Sequence, residues 1–129
     1  MVLDTSALVA ILFNEPEAPV FEKRIETDPV RLLSAASFVE LSIVVESRLG
    51  EAGVRELDLM IYKAGVQIVP VSREQAELAR HAYRKFGKGR HPARLNFGDC
   101  FSYALTVHSG EPLLFKGDDF SRTDCELCD

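Results

Sequence analysis

Four short apolar runs, residues 2–4, 30–34, 66–71 and 113–115, are each separated from the next by enough chain for at least one helix. Strands spaced this way cannot be joined by hairpins. They run parallel, with helical crossovers that return the chain to the same edge. The expected fold class is therefore α/β, a three-layer α/β/α arrangement with a central, mainly parallel sheet covered on both faces. On such sheets ligands gather at the carboxyl ends of the strands.

The intervening segments carry helix signals. Thr5-Ser6 opens a helix through about residue 13, and Asn14-Glu15-Pro16-Glu17 restarts one over 17–27 with Pro16 near its first turn, before Asp28-Pro29 breaks it. Ser34 or Ser37 caps a helix that Gly50 ends near residue 49, and another spans 53–64, closed by Gly65. The second of these is apolar around more than one face, through Leu57, Leu59, Met60, Ile61 and Tyr62, which suits contact with a protein partner. Ser72 caps a helix over 73–86 with Ala76, Ala79, Ala82, Tyr83 and Phe86 as its buried stripe. Residues 87–92 read as a mobile loop, Asn96 or Gly98 starts a helix to about 108, and Glu126-Leu127 is an edge strand. At 129 residues the chain is expected to form one domain, 1–129.

Nothing here is expected to cross a membrane: the longest early apolar run, 7–13, is too short and is closed by Asn14-Glu15-Pro16. A cytoplasmic protein is expected. Three cysteines make an odd count, and the Cys125-x-x-Cys128 pair has no second Cys or His pair beside it, which argues against a disulfide framework, a zinc site or a redox site.

Acidic residues mark the chemistry. Asp4 follows the first strand, Asp118 and Asp119 follow the last, Asp99 opens the helix after Asn96, and Glu40 lies on an apolar helix face. Three and four positions from Glu40 stand Ala36, Ser37, Ile43 and Val44, none of them cationic, so no local ion pair explains it. Each acid has an ordinary reading as well: Asp4 and Asp99 as helix caps, Asp118-Asp119 as an Asx-turn, Glu40 as a rim residue reaching solvent. Brought to one sheet edge, however, these carboxylates would repel one another unless they shared a cation. Oxygen-only ligands suit Mg²⁺ or Mn²⁺, whose commonest chemistry is on phosphate esters. A phosphoacceptor built on Asp4 would need an acid two residues on, where Ser6 stands.

The net charge of −5 is unevenly spread. Residues 80–94 hold six basic side chains, two histidines and no acid. Within this strip Arg84, Lys88, Arg90, His91 and Arg94 are candidate phosphate contacts, although a solvated helix face running into a loop explains it equally well.

The blocks Met1-Val2-Leu3-Asp4-Thr5-Ser6, Ser37-Phe38-Val39-Glu40, Leu95-Asn96-Phe97-Gly98-Asp99-Cys100 and Leu113-Leu114-Phe115-Lys116-Gly117-Asp118-Asp119-Phe120 resemble, in order and spacing, those of the PIN-domain family, and in particular the VapC toxins of bacterial VapBC modules. The resemblance implies a Mg²⁺- or Mn²⁺-dependent endoribonuclease toxin that acts on structured RNA such as tRNA or rRNA and inhibits translation. It also implies a homodimer and neutralisation by a cognate VapB-like antitoxin. Asp4, Asp99 and Asp118 match metal ligands, with Asp119 an alternative to Asp118. Glu40 matches the acid that completes the catalytic set, and Thr5 and Ser6 would steady Asp4 and the waters of the metal. The alternative function is a non-catalytic RNA- or protein-binding module of the same fold.

Overall fold

The structure, a computed structural model, describes residues 1–128; the last residue of the expected 1–129 domain lies outside them. Four strands, β1 (Val2–Leu3), β2 (Leu32–Ser34), β3 (Gln67–Val69) and β4 (Leu113–Leu114), form one sheet in the order β3-β2-β1-β4. Every pairing is parallel, with Val2 opposite both Leu32 and Leu113, and Leu3 opposite Leu114.

Strand side chains alternate between faces, and here the alternation divides two cores. Val2 and Leu113 belong to one with Ala79, Phe86, Tyr103 and Leu105, whereas Leu3 and Leu114 belong to the other with Leu8, Phe21, Leu33, Leu41 and Leu57. The first core lies under α4 (Arg73–Phe86) and α5 (Phe97–Ser109). The second lies under α1 (Thr5–Leu12), α2 (Ala18–Thr27) and α3 (Ala35–Ala64). This is the expected α/β/α layering.

Strand order also locates the crevice. The chain steps outward from β1 to β2 to β3, then returns to place β4 on the other side of β1. The direction reverses between β1 and β4, so the gap at their carboxyl ends is where such a sheet takes a ligand. Asp4 ends β1, and residues 117–119 follow β4.

Several local expectations change. The two helices expected either side of Gly50 follow one another without an intervening loop as α3, a kinked pair broken at Gly50, which takes φ 66° and ψ −160°, a conformation that a side chain would strain. Residues 14–17 make a turn instead of a helix start, because the Glu15 amide reaches back to the Ala10 carbonyl. Helix α2 consequently begins at Ala18, with Pro19 in its first turn in place of Pro16. On α4 the buried stripe is Gln75, Ala79, Ala82 and Phe86, while Tyr83 lies 42 % exposed. Gln75 is tolerated inside because its Nε2 donates to the Pro70 carbonyl.

Of the partner-facing surface expected on α3, Leu57 is fully buried, but Leu59 and Tyr62 are exposed. Residues 87–92 form a hydrogen-bonded turn in which the Gly87 carbonyl accepts from the Arg90 and His91 amides. The expected edge strand near Leu127 is a single parallel bridge to Leu113. Its two cysteines face different cores, Cys125 with Phe86 and Tyr103, Cys128 against the cluster around Leu3, as befits residues three apart in extended chain. Among the described residues no helix is long and apolar enough to cross a membrane.

Candidate active site

Asp4 is the anchor of the site. Its amide completes the sheet by donating to the Leu114 carbonyl at 3.0 Å, and its side chain caps α1. Oδ2 accepts from the Ser6 amide at 3.0 Å and from Ser6 Oγ at 2.6 Å, while Oδ1 accepts from Ser102 Oγ at 2.6 Å. Only 4 % of Asp4 is exposed. A carboxylate so buried needs these donors, because its desolvation is otherwise uncompensated. The Lys116 amide in turn donates to Ser6 Oγ at 2.9 Å, tying the loop after β4 to the same carboxylate.

Helix α5 presents the second acid. Asn96 and Asp99 form a reciprocal capping box: the Asp99 amide donates to Asn96 Oδ1 and the Asn96 amide to Asp99 Oδ2. Burial raises the Asp99 carboxyl to about 7; the Asn96 amide opposes the rise, and the charges of Asp4, Asp119 and Glu40 add to it. Three other carboxylates thus act on Asp99, and none of the five acids has an ion-pair partner among the described residues. The nearby Cys100 thiol is not a competing ligand: Sγ donates to the Asn96 carbonyl, and burial pushes its pKa up to about 11.

Glu40, half-buried on α3, reaches the N-terminal turn of α5, where its carboxylate lies against Gly98 so closely that a Cβ there would collide with both oxygens. The positive end of the helix favours a carboxylate at that place. Asp118 and Asp119 are exposed. The Asp118 carbonyl accepts from the Ser121 amide and hydroxyl, and Asp119 precedes the short 3-10 turn Phe120–Arg122 with no side-chain cap hydrogen bond.

Hard divalent cations prefer oxygen donors, and this set is all oxygen. Thr5 Oγ1 adds to it: it is buried next to Asp4 with no hydrogen-bond partner among the described residues, an uncompensated polar atom. The donor chemistry therefore fits Mg²⁺ or Mn²⁺ and not zinc. No group of three or more His, Cys, Asp or Glu side chains is gathered tightly enough to hold a metal ion among the described residues. Asp99 keeps one oxygen on its own cap.

The basic strip divides on inspection. Arg84, Lys88, Arg90 and Arg94 are exposed, and the Arg90 guanidinium stacks 5.8 Å over the Tyr83 ring. His91 serves the turn: Nδ1 accepts from the Ala93 amide at 3.0 Å, and its ring packs edge-on against Phe86. Outside the candidates, Lys85 pairs with Asp124 and Arg80 with Glu77. Lys116, the cation nearest in sequence to Asp118, is held by Glu15 and Glu17, both at 2.8 Å.

Sequence reasoning missed Ser102, Ser37 and the packing role of Gly98. A helical-period signal was there, since Ser102 is three residues after Asp99 and Ser37 three before Glu40, on the faces that carry those acids.

A PIN domain family model matches residues 1–125. Among curated relatives, Ribonuclease VapC30 of Mycobacterium tuberculosis is 58% identical over 124 residues, covering 96% of this chain and 95% of its own. Ribonuclease VapC of Mycolicibacterium smegmatis is 60% identical, with 96% of each covered. The fold is similar to the crystal structure of Mycobacterium tuberculosis VapC20, described as a sarcin-ricin loop cleaving toxin, with a TM-score of 0.77 at 20% identity over 96% of this chain and 95% of that one. It is also similar to VapBC2 from Rickettsia felis bound to a promoter DNA fragment, with a TM-score of 0.74 at 15% identity, 99% of this chain and 96% of that one being covered.

Proposed function

Because this chain belongs to the PIN-domain family, in its VapC branch, we propose that it is a Mg²⁺- or Mn²⁺-dependent endoribonuclease toxin of a toxin–antitoxin pair. The observation that carries the proposal is electrostatic: Asp4, Glu40 and Asp119 all press on Asp99, with no basic side chain paired to any of them among the described residues. Such a cluster suits a divalent cation at the topological switch of the sheet. Asp4 and Asp99 are assigned as principal ligands. Asp119, whose charge reaches Asp99, is preferred to Asp118 for the third.

Glu40 is assigned the task of orienting the attacking water and taking its proton. Asp4 is held by three donors and presents a fixed carboxylate, and Thr5 Oγ1 is available to a water beside it. The exposed cations Arg84, Lys88, Arg90 and Arg94 are assigned to flanking phosphates of the RNA. A cation held by Asp4, Asp99 and Asp119 would neutralise charge on the scissile phosphate and lower the pKa of the attacking water.

The relatives named as ribonucleases support RNA as the substrate; structured RNA, tRNA or rRNA, is the class assigned here, and cleavage of it would inhibit translation in the cytoplasm. A cognate antitoxin and a second copy of the chain are the expected partners; exposed Leu59, Tyr62 and Phe97 support protein contacts. We also take the chain as one nuclease domain.

The capping roles of Asp4 and Asp99 favour a second reading, a non-catalytic binding module in which the acids only end helices. Incubation with total RNA and Mn²⁺, followed by mapping of new 5′ ends, separates the two. Discrete ends that vanish with Asp4→Asn support the nuclease; salt-sensitive binding with no cleavage in any divalent ion supports the module.

A further inference from the structure

Beneath the acids lies a second, wholly buried layer of hydroxyls. Ser102 is 0 % exposed and Ser37 1 %. Their Oγ atoms are 3.4 Å apart, linking α3 to α5, and Ser102 Oγ is 2.6 Å from Asp4 Oδ1. The direction of the chain follows from proton counting. A carboxylate only accepts, so the single Ser102 hydroxyl proton is committed to Asp4, and Ser37 must be the donor to Ser102.

The placement is specific. Ser37 is one helical turn from Glu40, and Ser102 one turn from Asp99, so the hydroxyl contact fixes the spacing of the two helices at the level just under their acids. Of the donors that hold Asp4, Ser6 belongs to the adjoining helix start, whereas Ser102 alone comes from the element that bears Asp99.

We propose that Ser102, backed by Ser37, is a positioning residue that orients the Asp4 carboxylate toward a divalent cation and holds it in register with Asp99. This rests on the metal-site reading above. Partners that orient a ligand in this way are commonly worth roughly 10–100-fold in metal affinity. A purely structural serine pair would affect folding and leave the affinity of the folded protein alone.

The test is calorimetric titration of Mn²⁺ into the purified full chain, wild type against Ser102→Ala and Ser102→Thr, at a temperature where each is folded by circular dichroism. Ser102→Ala is expected to weaken binding roughly 10–100-fold, and Ser102→Thr, which keeps the hydroxyl, to restore most of it. Ser102→Cys, close in volume but a weak donor, reads the same loss should the alanine protein not fold. Ser37→Ala is expected to act in the same direction and less strongly. Wild-type Mn²⁺ affinity in folded Ser102→Ala or Ser102→Cys would overturn the positioning role while leaving the metal site standing. Absence of Mn²⁺ binding by the wild type, or equal binding by Asp4→Asn, would overturn the metal site and this role with it.

Discussion

Gly98 lies against the carboxylate of Glu40, which comes from a different helix, with no room for a Cβ between them. Its backbone is ordinary α-helix, so Gly98→Ala would gain helix propensity of up to about 1 kcal/mol. The clash falls on the far end of a flexible side chain and is relieved by moving the Glu40 carboxylate. Little stability is therefore at stake, but the placement of the proposed water-orienting acid is. Gly98→Ala is expected to melt within a few degrees of wild type and to lose RNA cleavage on the order of 10²-fold, the scale of an ångström misplacement. Paired melting curves and cleavage rates check this.

Asp99 makes the metal-free protein pH-sensitive in a definite direction. Its carboxyl is raised from 3.8 to about 7, so between these values the native state binds more protons than the unfolded chain. Stability then falls as pH rises across that window and levels off above about 7. In chelator-treated samples the wild type is expected to lose more melting temperature than Asp99→Asn between about pH 5 and pH 8. Because a divalent ion competes with that proton, apparent Mn²⁺ affinity is expected to strengthen over the same interval.

The adjacent aspartates should separate by mutation. Asp119, not its neighbour, is among the charges that raise Asp99. The Asp118 backbone instead closes the turn with Ser121. Asp119→Asn is expected to lower cleavage and Mn²⁺ affinity more than Asp118→Asn; side-by-side titration and cleavage assays decide it.

Within the basic strip, binding and architecture should come apart. Removal of Lys88, Arg90 or Arg84 by alanine substitution is expected to weaken RNA binding and to flatten its salt dependence, by roughly 0.7–0.9 in the log–log slope for each phosphate no longer neutralised. His91→Ala should instead lower the melting temperature, because it deletes the acceptor of the Ala93 amide and the edge-on packing against Phe86. Filter binding over a salt series, with melting curves, distinguishes these effects.

Much of the layering was readable because it depends on period and spacing. Val2 and Leu3 face opposite cores as neighbouring strand residues must, and Asn96, Gly50 and Gly110 act as stop or start signals do. Asp4 and Asp99 were also legible, since each combines a helix-cap position with a strand or helix end. The remainder depends on contacts between distant parts of the chain. The three-residue spacing puts Ser102 on the face of Asp99, but serine is so common that this spacing alone does not single it out as the partner of Asp4, and the value of Gly98 lies wholly in Glu40. Gln75 was missed because it is polar yet satisfied by the Pro70 carbonyl in a core position, and Tyr83 was misplaced because it adjoins the buried stripe through Ala79, Ala82 and Phe86 while lying outside it. Pro16 and Pro19 both suit a first turn, and the choice is made by a backbone bond from Glu15 to Ala10.

The most direct measurement is the single-turnover cleavage rate, with Mn²⁺, of an RNA carrying a mapped cleavage site, wild type against Asp99→Asn. Asparagine retains an oxygen for the Asn96 amide, so the capping box and the fold should survive while the ligand charge is removed. Cleavage by wild type that falls to the metal-free background in Asp99→Asn is the expected result. Cleavage at the same ends and at the wild-type rate by folded Asp99→Asn would contradict a metal centre built on these acids.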